Sequence, residues 1–257
     1  VTGPDITSPA NPRIRALARL ERRRERERTG RFLVEGAREI ARALEAGLVV
    51  ELLVALDAAG HPLVARCTAR GIPLLTVAEA VLARLSRRAR PDGLVAVAAG
   101  LDTTLPDPLG SLVLVADAIE KPGNLGAMIR TAEAVGASFA ASDPVTDLAN
   151  PNVIRASQGA VFLATVGAGP APEVARRLPT GTTVVVATPE APTPYWDLDL
   201  TVPAAIVVGS EHRGVASRWR SLGIPVRIPM VGRVDSLNAS VAAAVLLFEA
   251  ARQRSRH

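Results

Sequence analysis

Three clusters beyond residue 120 hold residues able to do chemistry. Asn124-Leu125-Gly126-Ala127-Met128-Ile129-Arg130 follows an apolar run and opens an amphipathic helix. Leu125, Met128, Ile129, Ala132 and Val135 share one face at about 100° per residue, so Arg130 points the opposite way. A guanidinium stays protonated in proteins, so Arg130 offers a fixed cation for a phosphate or a developing oxyanion rather than a base. Ile206-Val207-Val208-Gly209-Ser210-Glu211-His212-Arg213-Gly214 reads as a buried strand ending in a glycine turn, where the Glu211 carboxylate needs a partner. The third cluster runs from Ile228 to Ser240. Pro225 and Pro229 cannot continue a helix and Gly232 permits positive φ, so this backbone is irregular. Ser236 or Asn238 then caps a helix whose body, Val241 to Phe248, has no polar residue. Taken singly, each cluster has a plain structural reading. Asn124 reads as a helix cap, Glu211 as a turn residue, and Ile228 and Leu237 as core.

The elements that must position these residues follow from the apolar pattern. From Arg31 to Ala99, short buried strands (Phe32-Leu33-Val34, Leu52-Leu53-Val54, Leu74-Leu75, Leu94 to Val97) alternate with helical patterns at Ala37 to Ala46, Leu63 to Arg70 and Ala78 to Arg87. That is a small α/β domain. Gly100 to Gly110, with two prolines and no periodicity, reads as a linker. Beyond it, strands are expected at Leu112 to Val115, Phe139-Ala140, Val161 to Val166, Thr183 to Ala187 and Ala205 to Val208. Helices at Asn150 to Gln158, Pro172 to Leu178 and Ala216 to Leu222 separate several of them. Alternation of this kind gives an α/β fold: a mostly parallel sheet with helices on both faces. The expected organisation is a basic N-terminal arm over 1–31, a small domain with its linker over 32–107, and the larger domain over 108–257.

The three clusters together, in order and spacing, resemble the three motifs of the SpoU family, RNA ribose 2′-O-methyltransferases with the SPOUT fold. The resemblance covers roughly Ser111 to Arg252. It implies a deep trefoil knot, which the residue pattern alone does not give because true knots are very rare. It also implies S-adenosyl-L-methionine as methyl donor and a homodimer that builds each active site across the subunit interface. Carried over residue by residue, Arg130, Asn124, Glu211, Ser236 and Asn238 become the catalytic set, with Glu211 expected to hold Arg130 or a group of the partner subunit. Thr188, Gly209, Ile228, Met230 and Leu237 become the cofactor contacts, mostly through backbone atoms. A sulfonium methyl is already activated, so the chemistry implied needs positioning rather than a metal. His212 and Arg213 stand where many relatives have smaller residues, which leaves the substrate open. The small domain over 32–107 looks like the ribosomal-protein-like RNA-binding domain that many family members carry, and a separate N-terminal domain plus basic arm resembles the ribosomal branch of the family. The implied substrate is therefore 23S ribosomal RNA, with transfer RNA as the alternative. Some relatives in antibiotic producers confer resistance by such methylation. A non-catalytic RNA-binding or ribosome-assembly protein on the same scaffold is the competing class.

Composition sets outer limits on these readings. Arg13 to Arg31 carries nine arginines against three glutamates, hence +6, while Ile14, Leu17, Ala18 and Leu20 recur at helical spacing. Such an arm fits RNA phosphates, adding affinity without sequence choice. Arg84, Arg87, Arg88 and Arg90 form a second basic cluster. Aromatic residues are only 3%, too few for a broad base-stacking platform. The single cysteine, Cys67, cannot close an internal disulfide, and His61, His212 and His257 make no metal-ligand spacing with it. No apolar run approaches the length of a membrane span, so a cytoplasmic protein is expected.

Overall fold

The computed structural model describes residues 3–87 and 92–255, so Arg88, Arg90 and His257 lie outside the described residues. The chain divides into two compact units, one comprising 1–101 and 149–163, the other 102–148 and 164–257. In chain order the first unit contains α1 (Pro12–Ala18), α2 (Arg23–Thr29), β1 (Arg31–Glu35), α3 (Ala37–Glu45), β2 (Val49–Ala55), α4 (Pro62–Ala69), β3 (Leu74–Val77), α5 (Glu79–Leu85) and β4 (Leu94–Ala99). The chain then builds β5 (Leu112–Asp117), α6 (Pro122–Ala134) and β6 (Ser138–Ser142) of the second unit. It returns to the first unit with α7 (Pro151–Ala156). The second unit is completed by β7 (Val166–Gly169), α8 (Ala171–Arg176), β8 (Thr183–Ala187), β9 (Thr193–Pro194), β10 (Ala204–Gly209), α9 (Ser217–Leu222), β11 (Ile224–Arg227) and α10 (Ala239–Arg254).

In the first unit a four-stranded sheet has the order β1-β4-β2-β3, with only β2 and β3 parallel. The basic N-terminal segment departs from the expected arm. Asn11 caps α1 by accepting from the Arg13 N–H, and Ile14, Leu17 and Leu20 join Leu53, Val77, Leu82 and Val97 in one core. Its arginines remain outside because the apolar residues recur every three or four positions. Arg26 is an exception: it is buried and donates to the Leu20 and Glu21 carbonyls. Residues 149–163 are a second departure. The expected strand at Val161 to Val166 is instead a 3-10 turn, Ala160–Phe162, followed by β7 from Val166. Phe162 stacks on Phe32 with ring centroids 6.0 Å apart. Arg42 donates to the Gln158 carbonyl at 2.8 Å, which ties this segment to α3.

The second unit is a seven-stranded parallel sheet flanked by helices, in the order β7-β6-β5-β10-β8-β11-β9. The expected linker is part of it. Leu105 and Leu109 are buried in its core, the Thr103 carbonyl accepts from Ala168, and Leu109 N–H donates to Arg177. Gly167 and Gly169 make room for Leu105; a Cβ at Gly167 would come within 2.7 Å of its Cα. Among the described residues no helix is long and apolar enough to cross a membrane.

Candidate active site

In a parallel sheet all strands end on the same side, and ligands sit outside those carboxyl ends where the strand order reverses. Here β5 leads outward to β6 and β7, whereas β10 and β8 lie on its other side. The loops after β5, β8, β10 and β11 therefore share the sheet's C-terminal edge. They contain, or run directly into, every residue of the candidate catalytic and cofactor sets.

Four side chains from three of these segments meet. Glu211, just beyond β10, accepts from Asn124 Nδ2 at 3.0 Å and from Asn238 Nδ2 at 2.9 Å on Oε1. Its Oε2 is paired with the Lys121 ammonium. Asn238 Nδ2 also donates to Asn124 Oδ1 at 3.0 Å, closing a triangle. The Lys121 bond, then the Asn124 bond, holds the Glu211 carboxyl below the ordinary glutamate range. An ionised carboxylate with three donors is a fixed acceptor and a weakened base.

This geometry corrects one local expectation and narrows two. Asn124 does not cap its helix: Pro122 occupies the first turn, where its missing N–H costs nothing, and Lys121 is the N-cap residue. Asn124 is thereby left inside the first turn with its amide free to reach across. Of Ser236 and Asn238, Asn238 is the cap, its Oδ1 accepting from the Ser240 N–H at 3.0 Å while its Nδ2 reaches Glu211. Glu211 does not hold Arg130 within the chain. Arg130 is exposed on α6, six residues past Asn124 and roughly 9 Å further along the axis. It makes no side-chain hydrogen bond or ion pair among the described residues.

A cavity of about 520 Å³ opens beside Glu211. Thr188, Gly209, Ile228, Met230 and Leu237 all line it, together with Glu211 and Ser236. Asn124 and Lys121 line a smaller recess that shares Ser210, Glu211 and His212 with it. Gly209 is also tightly placed. A Cβ there would lie 2.2 Å from Gly214 C and O, so the loop backbone, rather than a ligand, demands the glycine. Thr188 is fixed at both ends: its N–H donates to the Val226 carbonyl at 2.9 Å and its Oγ1 to Glu190 at 2.5 Å. Its size and its mixed lining of apolar and polar residues suit a nucleoside-sized ligand such as S-adenosyl-L-methionine.

Sequence reasoning missed Lys121 and Asp117. Lys121 is the only lysine in an arginine-rich chain and directly precedes the Pro-Gly-Asn start of α6, which was the available signal. Asp117 is 1% exposed at the end of β5 and accepts from Ser142 Oγ and from the Ala216 N–H. Nothing local in the sequence marks such contacts. Among the described residues no three His, Cys, Asp or Glu side chains gather in a group that could hold a metal ion.

Comparison with known proteins gives the following. The profile of the SpoU rRNA Methylase family matches residues 111–248, and that of an MRM3-like substrate binding domain matches residues 11–96. A 23S rRNA (uridine(2479)-2′-O)-methyltransferase of Streptomyces viridochromogenes is 35% identical, over 92% of this chain and 88% of that protein. A solved RNA 2′-O ribose methyltransferase is 45% identical, over 97% of this chain and 99% of that one, with a TM-score of 0.81. An rRNA methyltransferase from Sinorhizobium meliloti, solved with S-adenosyl-L-methionine bound, is 30% identical, over 96% of each chain, with a TM-score of 0.85.

Proposed function

The chain belongs to the SpoU rRNA methylase family, and on that premise we propose that it transfers a methyl group to a ribose 2′-hydroxyl of RNA, with 23S ribosomal RNA as substrate. The observation that carries this reading is the cavity lined by Thr188, Gly209, Ile228, Met230 and Leu237 with the Glu211 cluster at its edge. The family's cofactor is S-adenosyl-L-methionine, which when bound supplies a methyl group activated on sulfonium. Loop backbone and apolar walls would hold it at those five residues. Asn124, Glu211, Ser236 and Asn238 orient the ribose, and Lys121 keeps Glu211 ionised. Arg130, a permanent cation, would offset negative charge developing on the attacking ribose oxygen.

Arg130 does not reach the Glu211 cluster of its own chain, which favours a homodimer in which Arg130 of a second copy completes the site. Phe248 and Val241, both exposed on α10 seven residues apart, supply an apolar face for such pairing. We place the enzyme in the cytoplasm, working without a metal, and read its threading as the family's trefoil knot.

The N-terminal unit would carry RNA phosphate. The side chains of Arg15, Arg19, Arg22, Arg24 and Arg31 are exposed and make no hydrogen bond or ion pair among the described residues. Their neighbours Arg13 and Arg28 are paired with Glu51 and Glu25. Unpaired guanidinium groups on one short stretch suit a polyanion.

The test is transfer from labelled cofactor to purified ribosomal and transfer RNAs, followed by mapping of the labelled nucleotide. Label in 23S RNA alone supports the reading. Label in transfer RNA moves the enzyme to the other branch, and cofactor-independent RNA binding without label makes it an assembly protein. If the mapped nucleotide lies where a ribosome-directed antibiotic binds, expression in a sensitive host tests a resistance role.

A further inference from the structure

Glu211 sits on a loop whose two feet are both held by one buried residue. The loop leaves β10 at Gly209, which pairs in register with Asp117 of β5. It returns at Ala216, whose N–H donates to Asp117 Oδ2 at 2.8 Å. Between them Gly214 N–H donates to the Ser210 carbonyl at 2.9 Å, and Gly209 packs directly on the Gly214 backbone. Asp117 Oδ1 accepts from Ser142 Oγ at 2.9 Å, and Ser142 Oγ accepts from Trp219 Nε1 at 3.0 Å. Asp117, Ser142 and Trp219 are each 1% exposed or less. Asp117 forms no ion pair among the described residues. A carboxylate placed there is costly unless its hydrogen bonds are met, and every one of these contacts runs to the loop or to what supports it.

We propose that Asp117 is a positioning residue: it closes the 210–216 loop and so sets the place of Glu211 and of the cofactor cavity wall. This rests on the proposed methyl transfer for its meaning, but not for its geometry. Ser142, itself held by Trp219, meets one carboxylate oxygen from the far side, while the other oxygen meets Ala216 independently.

The experiment compares the full-length protein with Asp117→Ala, Asp117→Asn and Ser142→Ala. Hydrogen exchange of the 210–216 amides is measured without ligand, and S-adenosylhomocysteine affinity is measured below the onset of unfolding. Asp117→Ala should speed exchange across 210–216 at least 10-fold and weaken binding at least 10-fold. Asp117→Asn, which keeps an acceptor for Ala216, should recover most of both losses. Ser142→Ala leaves the Ala216 bond in place and should stay within about 3-fold of the parent. Should Asp117→Ala lower only the melting temperature, with exchange and affinity unchanged, the proposal is overturned. It is equally overturned if Ser142→Ala loosens the loop as much as Asp117→Ala does. If Asp117→Ala does not fold, Asp117→Asn against Ser142→Ala decides: looser exchange in Ser142→Ala than in Asp117→Asn contradicts the role given to the Ala216 bond. A parent protein that fails to bind S-adenosylhomocysteine would refute the methyl-transfer reading instead, and the exchange data would still judge Asp117.

Discussion

Glu211 receives Lys121, Asn124 and Asn238 on its two oxygens, so its removal takes away the acceptor that orients all three. Glu211→Ala is expected to lower methyl transfer at least ~10², the scale of losing an oriented electrostatic group, with RNA affinity retained in filter binding. Its pH behaviour follows from the sign of the shift. The folded pKa is depressed, so the cluster is intact above the ordinary glutamate range and is lost only as pH falls through the lowered value. The loss of activity on the acid side assigned to Glu211 should therefore lie below the ordinary glutamate range, in a titration of single-turnover rate. Gly209→Ala puts a methyl carbon 2.2 Å from Gly214 backbone. Overpacking of that kind costs about 1–3 kcal/mol, and calorimetric cofactor affinity should drop about 10-fold or more. Motif order was enough to bring Thr188, Gly209, Ile228, Met230 and Leu237 together on paper, and the structure places them on one cavity. Lys121 and Asp117 escaped because their partners, Glu211 and Ala216, lie about ninety or more residues away in sequence.

Elements were more legible than their partners. The strand and helix pattern of the first unit was read nearly to its ends, because alternation and helical spacing are local properties. What a helix packs on is not local. The spacing of Ile14, Leu17 and Leu20 announced a helix, yet nine arginines made the segment look like a free arm. Those three side chains are 7% exposed or less, and burying them contributes on the order of 5 kcal/mol. Deleting residues 1–31 is therefore expected to destabilise the first unit, seen as a large drop in its thermal midpoint, instead of cleanly weakening RNA binding. Residues 149–163 taught the same lesson. Their helical pattern was visible, but only Phe162 stacked on Phe32 and Arg42 bonded to Gln158 show which sheet they serve.

At the scale of the whole molecule, we propose a division of labour between an N-terminal unit that engages RNA phosphate and a SPOUT unit that performs chemistry. Charge tests the first half without touching the core. Replacing Arg15, Arg19, Arg22, Arg24 and Arg31 by alanine should weaken RNA binding and flatten the slope of log K against log salt. The change is up to about 3.5, from ~0.7 per phosphate contact on single strands. Cofactor affinity should be unchanged. The trefoil threading that we propose from the family is not legible from periodicity, since nothing in a residue pattern records which segment passes through which loop. The central claim concerns where the methyl group goes. The most direct measurement is mass spectrometry of nucleosides from RNA incubated with the enzyme and isotopically labelled S-adenosyl-L-methionine. The account predicts one labelled nucleoside carrying the methyl group on its ribose, absent from the Glu211→Ala reaction. A label on a base, or none on RNA that the protein demonstrably binds with cofactor present, would contradict it.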